Sequence, residues 1–193
     1  LGAWDADRAT EWFEGRLRER AYRPRRVVLV DLHKCLASAA YRCQPTDDAL
    51  VLVAHPLGDG SLVSVHRGQA GQIDRLSHDR GSTAAHLWLD RWFSVLGVPD
   101  VAAFDTLADG GSVDDGALQV LGRSLLLEDG RIVARARPAF VLRSDSPWGA
   151  LVHLAPADVA ASVRAHLRGL VAGWIAGKVA QHGAADVAIA GSW

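Results

Sequence analysis

The sequence predicts an α+β protein, a mainly antiparallel sheet covered by helices on one face, in the order α-β-α-βββ-α-α-ββββ-α. Three observations carry this reading. Apolar residues recur at helical spacing in several stretches, short β-branched or alternating runs lie between them, and the connections are rich in the Gly, Asp and Ser of tight hairpins. The chain has 193 residues, 49% hydrophobic and 22% charged, which fits a single domain spanning 1–193. A possible internal seam falls at 109–116, a segment dense in Gly, Ser and Asp.

The elements follow in order. Between Trp4 and Arg20, Ala9, Trp12, Phe13 and Leu17 recur at helical spacing with charges mostly on the other faces, which predicts an amphipathic first helix. Val27 to Val30 is a continuous aliphatic run of the kind a buried strand uses. Leu32, Cys35, Leu36, Ala39 and Cys43 then trace a second helical stripe, with Asp31 in position to cap it. The segments 49–54, 61–67 and 72–77 read as a three-stranded meander, its turns supplied by Gly58-Asp59-Gly60 and by Gly68 to Gly71.

Ser82 or Thr83 is placed to cap a third helix whose Ala85, Trp88, Leu89, Trp92, Phe93 and Leu96 form a broad apolar face, stopped by Gly97. Pro99 at a first-turn position, with Val101, Phe104 and Leu107, predicts another short helix. Beyond the seam, 124–128 and 131–137 flank Asp129-Gly130, the strongest hairpin signal in the chain. Strands are expected at 140–143 and 150–154, around the turn that holds Trp148. Pro156 opens a long last helix with Val159, Val163, Leu167, Leu170, Val171, Trp174 and Ile175 on one stripe.

Composition excludes several functions and favours none. Lys and Arg total 21 against 22 Asp and Glu, a net charge of −1, so no global field attracts nucleic acid or an anionic membrane. Arg16, Arg18, Arg20, Arg23, Arg25 and Arg26 form the densest basic stretch, but Glu14 and Glu19 offset it and Tyr22 is its only aromatic, so a solvated helix end is expected and nucleic-acid binding is not. No apolar run approaches the ~20 residues of a transmembrane helix, and no leader is evident. Cys35 and Cys43 are too few for a disulfide framework and are expected as buried, reduced thiols in a cytoplasmic protein. Methionine is absent, and the readings rest on element type rather than exact register.

No phosphate loop, cysteine knuckle, nucleophile elbow or His-Glu-x-x-His helix is present. Asp31 and His33 follow a predicted strand, where an acid-base pair is conceivable; the competing reading makes Asp31 only a cap, and it needs nothing further. Cys35 is nearby, but its stripe assigns it to the core. His86 and Asp90 stand four apart on a helix, a spacing that chelates a metal or orients an imidazole, with His66 or His78 as conceivable further ligands; a solvated i,i+4 pair is the simpler account. The eight histidines are scattered, and no metal site is assigned.

The expectation is a soluble, non-catalytic ligand- or protein-binding domain, with Trp148, Asp145 and Trp88 as the ligand or partner surface. The alternative is a small enzyme with an acid-base site drawn from Asp31, His33, His86 and Asp90. Cofactor, ligand and partner identity are unknown from the sequence. Ala172, Gly173, Ala176 and Gly177 on the last helix suggest close packing in a possible homodimer.

Overall fold

A computed structural model describes residues 6–23, 27, 30–58, 61–79, 83–135, 148–183 and 186–191. Its elements are α1 (Ala6–Glu19), α2 (Leu32–Arg42), β1 (Asp48–Gly58), β2 (Ser61–Gln69), β3 (Gln72–Asp79), α3 (Thr83–Leu96), α4 (Val101–Asp109), α5 (Asp115–Ser124), β4 (Leu125–Glu128), β5 (Arg131–Ala134), a 3-10 turn (Gly149–Leu151), α6 (Pro156–His182) and β6 (Val187–Gly191). The main sheet runs β3-β2-β1-β6, with β4 and β5 as a separate hairpin. The meander of β1, β2 and β3 is antiparallel, while β6 joins β1 in parallel, Leu50 opposite Val187 and Val53 opposite Ala190. The α+β class and the mainly antiparallel sheet are as expected.

Coverage is two-sided rather than one-sided. Along β1, Leu50, Leu52 and Ala54 enter a large core with α3, α5 and α6, whereas Ala49, Val51 and Val53 enter a smaller one with Ala37 and Tyr41 of α2. Successive residues of a strand face opposite ways, so a strand covered on both sides reads as one continuous apolar run. The 49–54 run is that signature.

Turn chemistry sets the meander and the hairpin. Ala70 and Gly71 both have positive φ, 50° and 77°, as do Asp129 and Gly130, 48° and 70°, the geometry of the two-residue turn whose twist matches antiparallel strands. Gly97 has φ of 68° after α3, and Val98 N donates to Phe93 O at 3.0 Å, a left-handed helix stop. Gly68 is required for a different reason. A Cβ there would lie 2.2 Å from the Tyr41 ring, and that ring is held at its tip, where Tyr41 Oη donates to Asp47 O at 2.8 Å and accepts from Gly71 N at 3.2 Å. Gly68→Ala is therefore expected to destabilise the fold by about 2–3 kcal/mol through overpacking and lost hydrogen bonds; urea unfolding checks it, and a change below about 0.5 kcal/mol contradicts the tight fit.

Several expectations are corrected. Val27 and Val30, the described ends of the predicted first strand, are not in a strand, and Val30 is 57% exposed; residues 28 and 29 lie outside the described residues. The place beside β1 belongs instead to β6, a strand the sequence reading left out. Residues 115–124 form the helix α5, capped by Asp114, whose side chain accepts from Ala117 N. Asp100 rather than Pro99 opens α4, accepting from Ala103 N at 2.8 Å. The 150–154 strand is replaced by successive turns, Leu151 N to Trp148 O and Leu154 N to Leu151 O. Three-residue periodicity places Trp148 and Leu151 on one side, and both are buried. The 140–143 strand lies outside the described residues.

The Gly-rich 109–116 segment is tied to the start of α6. Ser112 N donates to Asp158 Oδ1 at 2.7 Å and Asp114 N to Ser162 Oγ at 3.0 Å. Gly111 presses on the Ala157 backbone, with no room for a side chain. No helix among the described residues is long and apolar enough to cross a membrane.

Candidate functional site

Two features stand out, a buried polar chain on one face of the sheet and an open apolar groove on the other. The chain begins on α2. This helix buries His33, Ala37 and Tyr41, an i, i+4, i+8 stripe, and not the predicted stripe through Cys35 and Cys43. Both cysteines are free and exposed, so the expectation of buried thiols is corrected. The polar tips of His33 and Tyr41 find partners on the sheet, which is why this face, and not the cysteine face, turns inward.

His33 Nδ1 lies 2.8 Å from Ser64 Oγ, and Ser64 Oγ lies 2.8 Å from His66 Nε2. Ser64 and His66 are two apart on β2 and therefore share a face. All three residues are at most 1% exposed. His66 Nδ1 is buried with no hydrogen-bond partner among the described residues. A neutral imidazole carries one proton, and a buried N–H without a partner is rarer than an unmet acceptor. The proton accordingly sits on His66 Nε2, which donates to Ser64 Oγ, and Ser64 in turn donates to His33 Nδ1. Burial first, and then the positive charge of Arg75, lowers the His66 pKa to about 4, which keeps the ring neutral near pH 7.

Asp31 stands two residues before His33, at the start of α2. Its Oδ1 accepts from Lys34 N at 2.9 Å and its Oδ2 from Arg75 Nη1 at 2.7 Å. Burial pushes its carboxyl pKa up, but the Lys34 amide and the Arg75 guanidinium outweigh that and hold it below the ordinary value. Asp31 is thus the helix cap the sequence indicated, with an ion pair to β3 added. A hydroxyl between imidazoles is the arrangement that activates a nucleophile; here Oγ is enclosed between α2 and β2, and the chain fixes α2 on the sheet.

The groove is built by α3, α4 and α6. Leu89, Phe93, Val101, Phe104, Leu167, Val171 and Ile175 line it, with Asp105, Arg164 and Arg168 also contributing, around a cavity of about 430 Å³. That is within the size range of small-molecule sites. The Phe93 and Phe104 rings meet at 5.3 Å. Arg164 braces the walls, donating to Asp109 Oδ1 at 2.6 Å and to Asp105 O at 3.3 Å. Arg168 has no ion-pair partner among the described residues.

Asp31 and His33 come together at the start of α2. Helix α3, which carries His86 and Asp90, packs through Trp88 and Trp92 on the opposite face of the sheet. The four residues form no single constellation. Asp90 is exposed; the side chain of His86, and Asp145 altogether, lie outside the described residues. Trp88 and Trp148, read from sequence as surface, are corrected to core: they are 0% and 1% exposed and flank Trp92, with ring centroids at 5.7 Å and 5.4 Å. Sequence reasoning missed Ser64, and it raised His66 only as a conceivable metal ligand. The alternation of 64 and 66 on a strand was the available signal. On α6, Gly173 is used within the chain against Leu127, while Ala172, Ala176 and Gly177 are exposed. Comparison with protein-family models and with curated proteins finds no match for this chain.

Proposed function

We propose that this protein is a non-catalytic binding domain whose binding surface is the apolar groove between α3, α4 and α6. The observation that carries the reading is the groove itself, a continuous apolar lining that stays open while the polar His33-Ser64-His66 chain is sealed. Its occupant is amphipathic, an apolar body along Leu89, Phe93, Val101, Leu167, Val171 and Ile175 with an acidic group toward Arg168, whose guanidinium is available to an anion. The exposed free thiols of Cys35 and Cys43 suit a reducing compartment such as the cytoplasm.

Dodecanoate is a simple probe of this chemistry. About 0.4 kcal/mol for each of its roughly fourteen heavy atoms gives a dissociation constant on the order of 100 µM. Isothermal titration calorimetry of a chain carrying Trp12→Glu and Phe13→Glu, two α1 residues outside the groove, is expected to show that affinity, weakened at least about tenfold when Val171→Glu is added, which places a carboxylate in the apolar lining. Equal affinity in the two proteins, or no heat in either, contradicts the reading.

A further inference from the structure

We infer that the groove's occupant is helix α1 of a second copy of this chain, exchanged reciprocally between two protomers; this rests on the reading of the groove as a binding surface. Helix α1 has the form such a groove accepts. Trp12 and Phe13 are 50% and 44% exposed, their rings meet edge to face at 4.9 Å, and Leu17 lies one turn further on. The helix packs against no other described element beyond isolated contacts. One chain therefore carries an exposed apolar helix face and an apolar groove of helical walls, the two halves of helix-in-groove recognition.

Charge matches as well. Arg16 pairs with Glu19 and Arg18 with Glu14 within α1, leaving Glu11, beside Trp12, with no ion pair among the described residues. Across the groove, Arg168 is the cation in the same condition. A spare acid on the helix meets a spare base on the groove.

Chain connectivity favours a second copy. Helix α1 leads through residues 20–31 into α2, which covers one face of the sheet, whereas α3, α4 and α6 belong to the other. A connection of about 12 residues reaches at most about 40 Å and would have to pass around the sheet to seat α1 in its own groove. Reciprocal exchange avoids that path and closes as a two-fold dimer.

Sedimentation equilibrium of the full chain over about 1–100 µM tests the exchange, with three variants: Trp12→Glu combined with Phe13→Glu, which spoils the helix face, and Val171→Glu or, on a different helix, Val101→Glu, which spoil the groove. The unaltered chain is expected to dimerise, and each variant alone, with an unchanged circular dichroism spectrum, to dissociate at least tenfold more readily. An equimolar mixture of the helix-face variant with either groove variant is expected to regain a dimer, because one intact α1-groove contact is re-formed. A monomeric unaltered chain, variants that dimerise as well as it does, or mixtures that stay monomeric overturn the exchange. If dodecanoate still binds the helix-face variant and not the groove variants, the groove stands and only its occupant is wrong; if it binds none of them, both fall.

Discussion

Trp92→Ala is expected to cost about 4 kcal/mol of folding stability, the largest effect of any single truncation in the described core. Trp92 is fully buried at the centre of three indoles, with Trp88 on one side and Trp148 on the other, so removal leaves a cavity that two large rings border. In a protein of this length the loss corresponds to about 8–16 °C in melting temperature. The neighbouring indoles make a finer comparison. Trp88 Nε1 donates to Ser124 Oγ at 3.1 Å, but Trp92 Nε1 has no hydrogen-bond partner among the described residues. Trp92→Phe deletes an unmet donor, whereas Trp88→Phe deletes a met one and strands part of Ser124's bonding. Trp92→Phe is therefore expected to be milder than Trp88→Phe by about 1 kcal/mol. Urea denaturation near pH 7 measures both, and the reverse order would contradict the hydrogen-bond assignment.

Acidification is expected to remove roughly 3 kcal/mol of stability between about pH 6.5 and pH 4. The cause is His66, held neutral by burial and by Arg75, with its pKa lowered to about 4. Above the unfolded value near 6.5, folded and unfolded chains are both neutral here and the contribution is complete. As pH falls below 6.5 the unfolded chain takes up a proton that the fold refuses, and the loss grows until the folded ring also protonates. His166 acts in the same direction: burial lowers its pKa, partly offset by its hydrogen bond from Nε2 to Leu125 O. Asp31, whose pKa lies below its ordinary value, adds its loss only at still lower pH, so the windows separate. His66→Gln should lower stability near neutrality yet flatten the slope between pH 6.5 and 4. A slope unchanged by that substitution would place the titrating group elsewhere.

What the sequence made legible follows from how local each signal is. The Asp129-Gly130 hairpin, the stop at Gly97 and the Asp31 cap are written in two to four consecutive residues, and each is found in place. Helices α3 and α6 announce themselves over many turns. Helix α5 was obscured because Gly116 and Gly122 weaken its propensity, although Asp114 and the Ala117, Val120, Leu121 spacing marked it. Strand β6 is short, and its pairing with β1 crosses most of the chain, so no local pattern identifies it. For α2, treating cysteine as the core residue misplaced the buried face; His33 and Tyr41 turn inward because the sheet supplies partners for their tips. The groove sets the neighbouring helices α3 and α4 against α6, which lies far along the sequence from both, a juxtaposition periodicity does not report, and Trp148 reads as exposed only until its neighbour Trp92 is known.

The claim that the groove is the binding surface is tested most directly by methyl-resolved NMR of the variant carrying Trp12→Glu and Phe13→Glu, whose α1 no longer fills the groove, titrated with dodecanoate. The expected result is a saturable set of shifts confined to Leu89, Val101, Leu167, Val171 and Ile175, with the methyls of Val51 and Val53, on the far face of the sheet, unmoved. Shifts centred on Val51 and Val53, or none at saturating ligand, would contradict it.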